Sequence, residues 1–183
     1  MKKLLKIPAL LFALMLIVSS CGNETKSEPK SEAKSDAETI TDANFYQAIK
    51  TCLSTNPVDG MCSDSEYGAM PNWDVSQVTN MKGAFDQSSD FNADIRNWDV
   101  SSVTSMFGMF ALATSFNQPI GDWNVSNVTN MEFMFYQAES FNQPIEDWDV
   151  DKVSSCNSFC DGASSWTLSK PDFTFCSGNL GCD

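Results

Sequence analysis

The chain has 183 residues, a formal net charge of −13 at neutral pH, and no histidine. The absence of histidine excludes Ser-His-Asp and Cys-His nucleophile systems and imidazole metal ligands. A nucleic-acid-binding protein needs positive charge to neutralise backbone phosphates. The net charge here is negative, so we expect no nucleic-acid partner. A composition with 42% hydrophobic and 19% charged residues is typical of a folded domain with additional segments.

Residues 1–20 have the pattern of a secretory signal, in which lysines precede a short apolar run. The run ends in Val18–Cys21 (Val-Ser-Ser-Cys), which resembles a bacterial lipobox. That resemblance implies cleavage before Cys21 and attachment of lipid, including palmitate, to this cysteine. The alternative is an ordinary secretory signal with a chance cysteine. We expect a lipid-anchored protein of the bacterial cell envelope, and Gly22-Asn23, which carries no acid, favours the outer membrane or the cell surface.

Residues 21–42 are predicted to be a flexible tether. Lysine, serine and acidic residues alternate between Lys26 and Asp36 with a period near four. The segment has no apolar face whose burial could offset the entropy of ordering it. A solvated helix with i,i+4 ion pairs is the alternative, although Pro29 argues against it.

A 25-residue unit occurs four times, as residues 73–97, 98–122, 123–147 and 148–172, the last of them degenerate. Each unit has a tryptophan, a methionine, two phenylalanines and an isoleucine at fixed positions, which the last unit keeps only in part. Such agreement at one fixed period indicates units that bury their apolar side chains against one another. The predicted repeat core is Trp73, Trp98, Trp123, Trp148, Met81, Met106, Met131, Phe85, Phe110, Phe135, Phe91, Phe116, Phe141, Ile95, Ile120 and Ile145.

The hydrophobic spacing changes within each unit. Apolar residues at i, i+3, i+4 and i+7 predict a short helix over residues 130–138, and Thr129 with Glu132 has the spacing of a capping box. Residues 120–125 are expected to be extended. The fold class expected is therefore an α/β repeat solenoid: a leucine-rich-repeat-like, right-handed stack of about four coils, with short parallel strands, short helices and disulfide-closed caps.

The repeat also resembles a known family. The pattern Trp-Asp-Val-Ser-x-Val-Thr-Asn-Met-x-x-Met-Phe-x-x-Ala-x-x-Phe-Asn-Gln-Pro-Ile is similar to the repeat of BspA-like bacterial leucine-rich-repeat surface proteins. The same unit is found in mycoplasma lipoproteins and is often classed as a domain of unknown function. The resemblance covers about residues 72–166, and departs from the pattern at Ala84, at residues 92–94 and in the fourth unit. It implies a surface-exposed interaction module, with adhesion in a few relatives, and transfers no binding residue.

Some repeated positions have a second interpretation. The tryptophan and phenylalanine series could be a carbohydrate-stacking ladder, although a stacked core is the commoner use of such spacing. The residue after each tryptophan is Asp74, Asp99, Asn124 or Asp149. These oxygens could bind Ca²⁺, but Asp and Asn exchange freely where the side chain bonds a turn backbone. Asn117-Gln118 and Asn142-Gln143 are expected to hydrogen bond between units.

Six cysteines follow the lipidation candidate, and an even number in an exported chain predicts disulfides. They are Cys52, Cys62, Cys156, Cys160, Cys176 and Cys182. Residues 43–72 are expected to form an N-terminal helical cap, with Thr41 or Asp42 as its N-cap and a Cys52–Cys62 disulfide. Residues 173–183 are expected to fold back as a C-terminal cap tail. Of three connectivities there, we favour Cys160–Cys176 with Cys156–Cys182, and a four-thiolate metal site is the alternative.

The leading functional hypothesis is a non-enzymatic envelope lipoprotein that binds through its repeat face. We expect no cofactor and no metal. The expected partners are the membrane, through the N-terminal lipid, and a protein or glycan ligand. A structural envelope spacer without a specific ligand is the alternative. A glycan-active enzyme is more distant, because two carboxylates can hydrolyse a glycosidic bond without histidine but no deep pocket is indicated.

Overall fold

The computed structural model describes residues 39–182. The predicted signal peptide, Cys21 and all but the last residues of the predicted tether lie outside this range. Helix α1 spans Phe45–Thr55 and buries Phe45, Ala48, Ile49 and Cys52 on one face. These positions have the i, i+3, i+4, i+7 spacing that makes one side of a helix apolar, so the expected N-terminal helix is confirmed.

The predicted N-cap is wrong. The helix begins after Asn44, and no side chain caps its first turn. The carboxylate of Asp42 instead accepts hydrogen bonds from the backbone N–H of Thr79 (2.8 Å) and from its hydroxyl (2.6 Å). Asp42 therefore satisfies donors at the start of the repeat region rather than those of α1.

The expected α/β repeat solenoid, with its leucine-rich-repeat-like strands and helices, is also wrong. Within residues 39–182 the regular elements are α1 and one 3-10 turn, Met70–Asn72, and no strand is formed. Parallel pairing is confined to isolated bridges, such as Asn80 with Ser105 and Asn130 with Ser155. The segment 120–125, expected to be extended, has no partner strand. Turns and loops make up the rest of the described chain.

The backbone explains why residues 130–138 are not a helix. Phe133 and Gln137 have positive φ, 57° and 52°, which an α-helix cannot accommodate. The N–H groups of Met131 and Phe135 donate to the carbonyls of Ser155 and Phe159 in the next unit, at 2.8 Å each, instead of to residues four positions earlier. Thr129 likewise donates its hydroxyl to the carbonyl of Thr104, so it forms no capping box.

The predicted repeat core is buried. All sixteen residues are at most 6% exposed. Equivalent aromatic rings lie on one another with nearly parallel planes: Phe116 is 5.7 Å from Phe91 and 5.9 Å from Phe141, and Trp123 is 6.5 Å from Trp148. Burial of each such ring stabilises the fold by about 1.5–3 kcal/mol, and stacking adds about 0.5–1.5 kcal/mol per pair. The 25-residue period of the sequence is thus expressed in side-chain contacts and hydrogen bonds rather than in strands and helices.

The four repeat tryptophans also satisfy their indole N–H groups, whereas the indole N–H of the buried Trp166 has no hydrogen-bond partner among the described residues. The Nε1–H of Trp98 donates to the carbonyl of Met70 at 3.0 Å, and that of Trp123 donates to Ile95 at 3.3 Å. Each donor therefore reaches a carbonyl of the preceding segment, where a buried N–H without a partner would be costly. This requirement fixes the orientation of each tryptophan as well as its depth.

The cysteines close both ends of the buried core. Cys52 pairs with Cys62 as predicted, with the two Cα atoms 5.3 Å apart. At the other end the favoured pairing is wrong, because the structure joins Cys156 to Cys176 and Cys160 to Cys182. The thiols of all six are therefore used in disulfides rather than as metal ligands.

The direction of the tail accounts for this connectivity. Ser158 N–H donates to the carbonyl of Asn179 at 2.7 Å, and Cys160 N–H donates to that of Leu180 at 3.1 Å. The tail therefore runs parallel to residues 156–160, and the earlier cysteine of one segment meets the earlier cysteine of the other. The same two hydrogen bonds satisfy donors of the last unit, as a cap must.

Candidate functional site

An aromatic groove opens to solvent alongside the buried core. It has a volume of about 560 Å³, in the range of sites that bind small ligands. Four aromatic side chains line it, and two of them are among the exposed large apolar residues of the described chain: Tyr46 is 43% exposed and Phe133 is 36% exposed. Phe107 and Tyr136 complete the four and are half-buried. We refer to this surface as the aromatic groove.

The rings of the groove lie at steep angles to one another. The centroid of Phe133 is 5.7 Å from that of Phe107 and 5.8 Å from that of Tyr136, with interplanar angles of 64° and 80°. The ammonium of Lys82 lies 4.8 Å from the Phe107 centroid, a cation-π contact. The groove therefore presents ring faces in several orientations, in contrast to the parallel rings of the core.

Tyr46 belongs to α1 and is held over the groove by its hydroxyl. This group donates to the carbonyl of Lys82 at 2.9 Å and also lies 3.3 Å from that of Asn80. Burial of the phenol, together with the nearby negative charge of Asp42, raises the pKa of Tyr46 above its ordinary value. Tyr46 therefore stays a neutral hydrogen-bond donor and fixes one side of the groove.

The floor of the groove follows from a position that is left-handed in every unit. Gly83, Gly108, Phe133 and Ser158 are each 25 residues apart and have φ of 62°, 57°, 57° and 52°. A Cβ added to Gly83 or Gly108 would have its nearest neighbour at 3.8 Å, an ordinary van der Waals distance, so a side chain at either position would meet no clash. Glycine adopts this conformation without steric cost, whereas a bulky side chain there is an outlier. Gly83 and Gly108 form the floor of the aromatic groove, and the ring of Phe133 forms one of its walls.

Polar side chains border the aromatic rings. Asp86 and Gln87 line the groove next to Gly83, with Gln87 Nε2 3.3 Å from a carboxylate oxygen of Asp86. The hydroxyl of Tyr136 accepts a hydrogen bond from Gln137 Nε2 at 3.1 Å, which leaves its own hydrogen free to be donated. The lining thus combines apolar faces with hydrogen-bonding groups that an external molecule can reach.

None of the predicted core residues lines this groove, so sequence reasoning missed the exposed site. The carbohydrate-ladder interpretation of the tryptophan and phenylalanine series fails because those rings are buried. The rings of the groove occupy positions where the repeat is not kept: Phe107 stands where other units have Lys82 and Glu132, and Phe133 stands at the glycine position. That departure from the repeat is the signal that could have located them.

The repeated acid series has a structural role. The side-chain oxygens of Asp74, Asp99, Asn124 and Asp149 each accept the backbone N–H two residues later, at 3.0–3.2 Å. At Asp74, hydrogen bonds from the side chain of Ser76 and then from its backbone N–H hold the pKa of the carboxyl group below its ordinary value. Within residues 39–182 no group of three or more potential metal-ligating side chains is assembled. The series is therefore a set of side-chain-bonded turns.

The predicted hydrogen bonding of the Asn-Gln pairs is confirmed. The side-chain oxygen of Asn117 accepts from the backbone N–H of Asn142 at 2.9 Å and from Gln143 Nε2 at 2.8 Å. The backbone N–H of Asn117 donates in turn to the side-chain oxygen of Asn92 at 3.0 Å. This series of amides connects successive units, and none of these residues lines the aromatic groove.

Comparison with known proteins gives one family. The model of the family described as "Mycoplasma protein of unknown function, DUF285" matches residues 57–172, more than half of the chain. The matched range contains the four sequence repeats and every aromatic residue of the groove except Tyr46. No curated protein and no solved structure matches the chain.

Proposed function

The chain belongs to this mycoplasma family of unknown function, and within it we propose that the protein is a non-enzymatic binding or adhesion module of the bacterial cell envelope. In this proposal the lipid on Cys21 anchors the protein and the aromatic groove holds its ligand, a protein or a glycan. The resemblance of the repeat to BspA-like surface lipoproteins supports a surface role. Only the similarity of the repeat sequence supports this role. The proposal does not depend on a leucine-rich-repeat architecture.

The observation that carries the proposal is the exposure of aromatic rings in one groove. The predicted core rings are at most 6% exposed, whereas Phe133 and Tyr46 are 36% and 43% exposed. Clustered aromatic side chains at a protein surface are typical of interaction sites, where they supply large contact areas at small entropic cost. Phe133 also occupies a backbone conformation that glycine would adopt more easily, so its ring is retained there at a structural cost.

The groove lacks the arrangement that the enzymatic alternative needs. Hydrolysis of a glycosidic bond without histidine requires two carboxyl groups that face the same bond from opposite sides. Among the described residues that line the groove, Asp86 contributes the single carboxylate. This composition favours binding without chemistry.

The anchoring part of the proposal depends on the sequence around Cys21. Within residues 39–182, no helix has both the length and the apolar character of a membrane span. Metabolic labelling with palmitate tests it in a bacterial host. We expect the wild type to incorporate label and to fractionate with membranes, and Cys21→Ser to do neither. Label that persists in the variant, or a wild type without label, would contradict lipid attachment at this residue.

The binding part is tested by a screen of the full chain against immobilised cell-surface proteins and glycans. Phe133→Gly removes one ring of the groove and leaves a residue suited to the backbone. Ser158→Gly makes the same kind of change at the equivalent position outside the groove and serves as the matched control. We expect retention by the wild type and the control and its loss in Phe133→Gly. A wild type that binds nothing, or that binds equally after the change at Phe133, would contradict the proposal.

A further inference from the structure

The chemistry of the aromatic groove also narrows the class of ligand. We propose that the groove takes an uncharged oligosaccharide, whose sugar faces lie on Phe133 and Tyr46 while its hydroxyls bond to Asp86, Gln87 and Tyr136. This inference rests on the proposed function and goes beyond it by naming the ligand class.

The first argument is the charge of the lining. The chain as a whole carries −13, yet the groove has one cation, Lys82, and one carboxylate, Asp86. The site is thus a neutral region on a strongly acidic protein. An acidic glycan would be repelled by the surrounding negative field. A basic peptide would be attracted by that field, but inside the groove it would meet the ammonium of Lys82, which already occupies the ring face of Phe107. A neutral partner avoids both penalties.

The second argument is the amphipathic character of the lining. A sugar ring has apolar C–H faces and a polar rim of hydroxyls, and each kind of surface has a counterpart in the groove. The ring of Phe133 stands at steep angles to those of Phe107 and Tyr136, so the groove presents ring faces in more than one orientation to the C–H faces of a sugar. Around them, the Asp86 carboxylate accepts hydrogen bonds, the Gln87 amide both donates and accepts, and the Tyr136 hydroxyl has a hydrogen to donate.

The third argument concerns the backbone, which offers no free strand edge to a peptide. The N–H groups of Gly83 and Gly108 donate to the carbonyls of Phe107 and Glu132 at 2.8 Å each, and that of Leu112 donates to Tyr136 at 2.7 Å. An extended peptide that entered the groove could not add to these groups as a new strand, which is the usual source of affinity for an extended chain. A sugar chain has no such requirement.

The experiment is an array of neutral hexose and N-acetylhexosamine oligosaccharides, printed beside sialylated and sulfated forms of the same backbones and beside a peptide library. The full chain is applied as wild type, Phe133→Gly, Tyr136→Phe and Ser158→Gly. We expect the wild type and Ser158→Gly to retain the neutral oligosaccharides with affinities within about twofold. Phe133→Gly should bind at least about tenfold more weakly, and Tyr136→Phe several-fold more weakly because it lacks one hydroxyl.

The outcomes separate this inference from the proposed function. Preference for the sialylated or sulfated forms would overturn the neutral-glycan assignment, and so would retention of peptides alone with the same sensitivity to Phe133→Gly. In both cases the groove would still be a binding site. If no oligosaccharide is retained in a way that depends on Phe133, the assignment fails; the proposed function fails as well only if the screen against immobilised cell-surface proteins also shows no retention that depends on Phe133. Tyr136→Phe changes no backbone requirement, so it tests the same surface even if Phe133→Gly folds poorly.

Discussion

Phe133 and Gly108 stand at equivalent positions 25 residues apart and share a φ of 57°, yet only one of them carries a side chain. At Gly108 this left-handed backbone carries no side chain, and an added Cβ would make only an ordinary van der Waals contact with Ala111, at 3.8 Å. At Phe133 the same backbone carries a ring that contacts Phe107 and Tyr136. The wall of the aromatic groove is therefore a substitution at a position whose backbone suits glycine.

This relationship predicts how Phe133 variants differ in stability. Both alanine and glycine at this position would lose the ring contacts. Alanine would still bear the steric cost of a Cβ in the left-handed conformation, whereas glycine would not. We expect Phe133→Gly to be more stable than Phe133→Ala by about 1 kcal/mol in urea unfolding, because a Cβ costs about that much in this conformation. Phe133→Ala that proves as stable as Phe133→Gly would mean that the backbone there is not left-handed.

Asp42 should make stability depend on pH. Burial raises its pKa, but the hydrogen bonds from Thr79 and Asn80 outweigh that effect and hold the pKa below its ordinary value of 3.8. The stabilisation is therefore fully present above pH 3.8 and is lost as the pH falls through the lower pKa of the folded state.

Replacement of Asp42 tests this sign directly. In urea unfolding at pH 7, Asp42→Asn should be about 1 kcal/mol less stable than the wild type, a modest value because the site is exposed. The difference should shrink as the pH is lowered towards 2. Asp122→Asn at another exposed site serves as the control. A gap between the wild type and Asp42→Asn that widens in acid would contradict the assigned role.

The amide series predicts that truncation of Asn117 to alanine lowers the free energy of unfolding. Asn117→Ala removes the acceptor of the Asn142 N–H and of the Gln143 side chain. We expect a loss of about 0.5–1.5 kcal/mol in the free energy of unfolding, because the hydrogen bonds lie at an exposed site where water partly replaces the missing acceptor. The exposed Asp122→Ala is a suitable control. An effect no larger than that of the control would show that water replaces these bonds without cost.

The disulfide connectivity can be read from peptides of the unreduced protein. Cleavage after Phe159 separates Cys156 from Cys160, and cleavage after Leu180 separates Cys176 from Cys182. Mass spectrometry should then find Cys156 joined to Cys176, and Cys160 joined to Cys182. The crossed pairs would instead mean that the tail runs antiparallel to residues 156–160.

Some parts of the structure could be predicted from the sequence because the buried positions recur with the same 25-residue period as the apolar residues of the repeat. Helix α1 and the sixteen core positions follow from apolar spacing alone. The helix expected over residues 130–138 was wrong because inward-facing Met131 and Phe135 give the same local spacing in a turn-based segment as in a helix. The glycines at positions 83 and 108 indicated a left-handed residue in each unit, which is incompatible with that helix.

The aromatic groove could not be predicted in the same way. Its four rings come from α1 and from two different units, and none of them recurs at the repeat period. Their proximity depends on how turns without regular secondary structure place one unit against the next. The direction of the C-terminal tail, and with it the disulfide pairing, was open for the same reason.

The measurement that tests the central claim most directly is the affinity of the full chain for the immobilised protein or glycan that the wild type retains in the screen. It is compared between the wild type, Phe133→Gly and Ser158→Gly by surface-based equilibrium binding. The aromatic groove as binding site predicts a dissociation constant at least about tenfold higher for Phe133→Gly and one within about twofold of the wild type for Ser158→Gly. Equal dissociation constants for all three proteins would place the binding surface elsewhere.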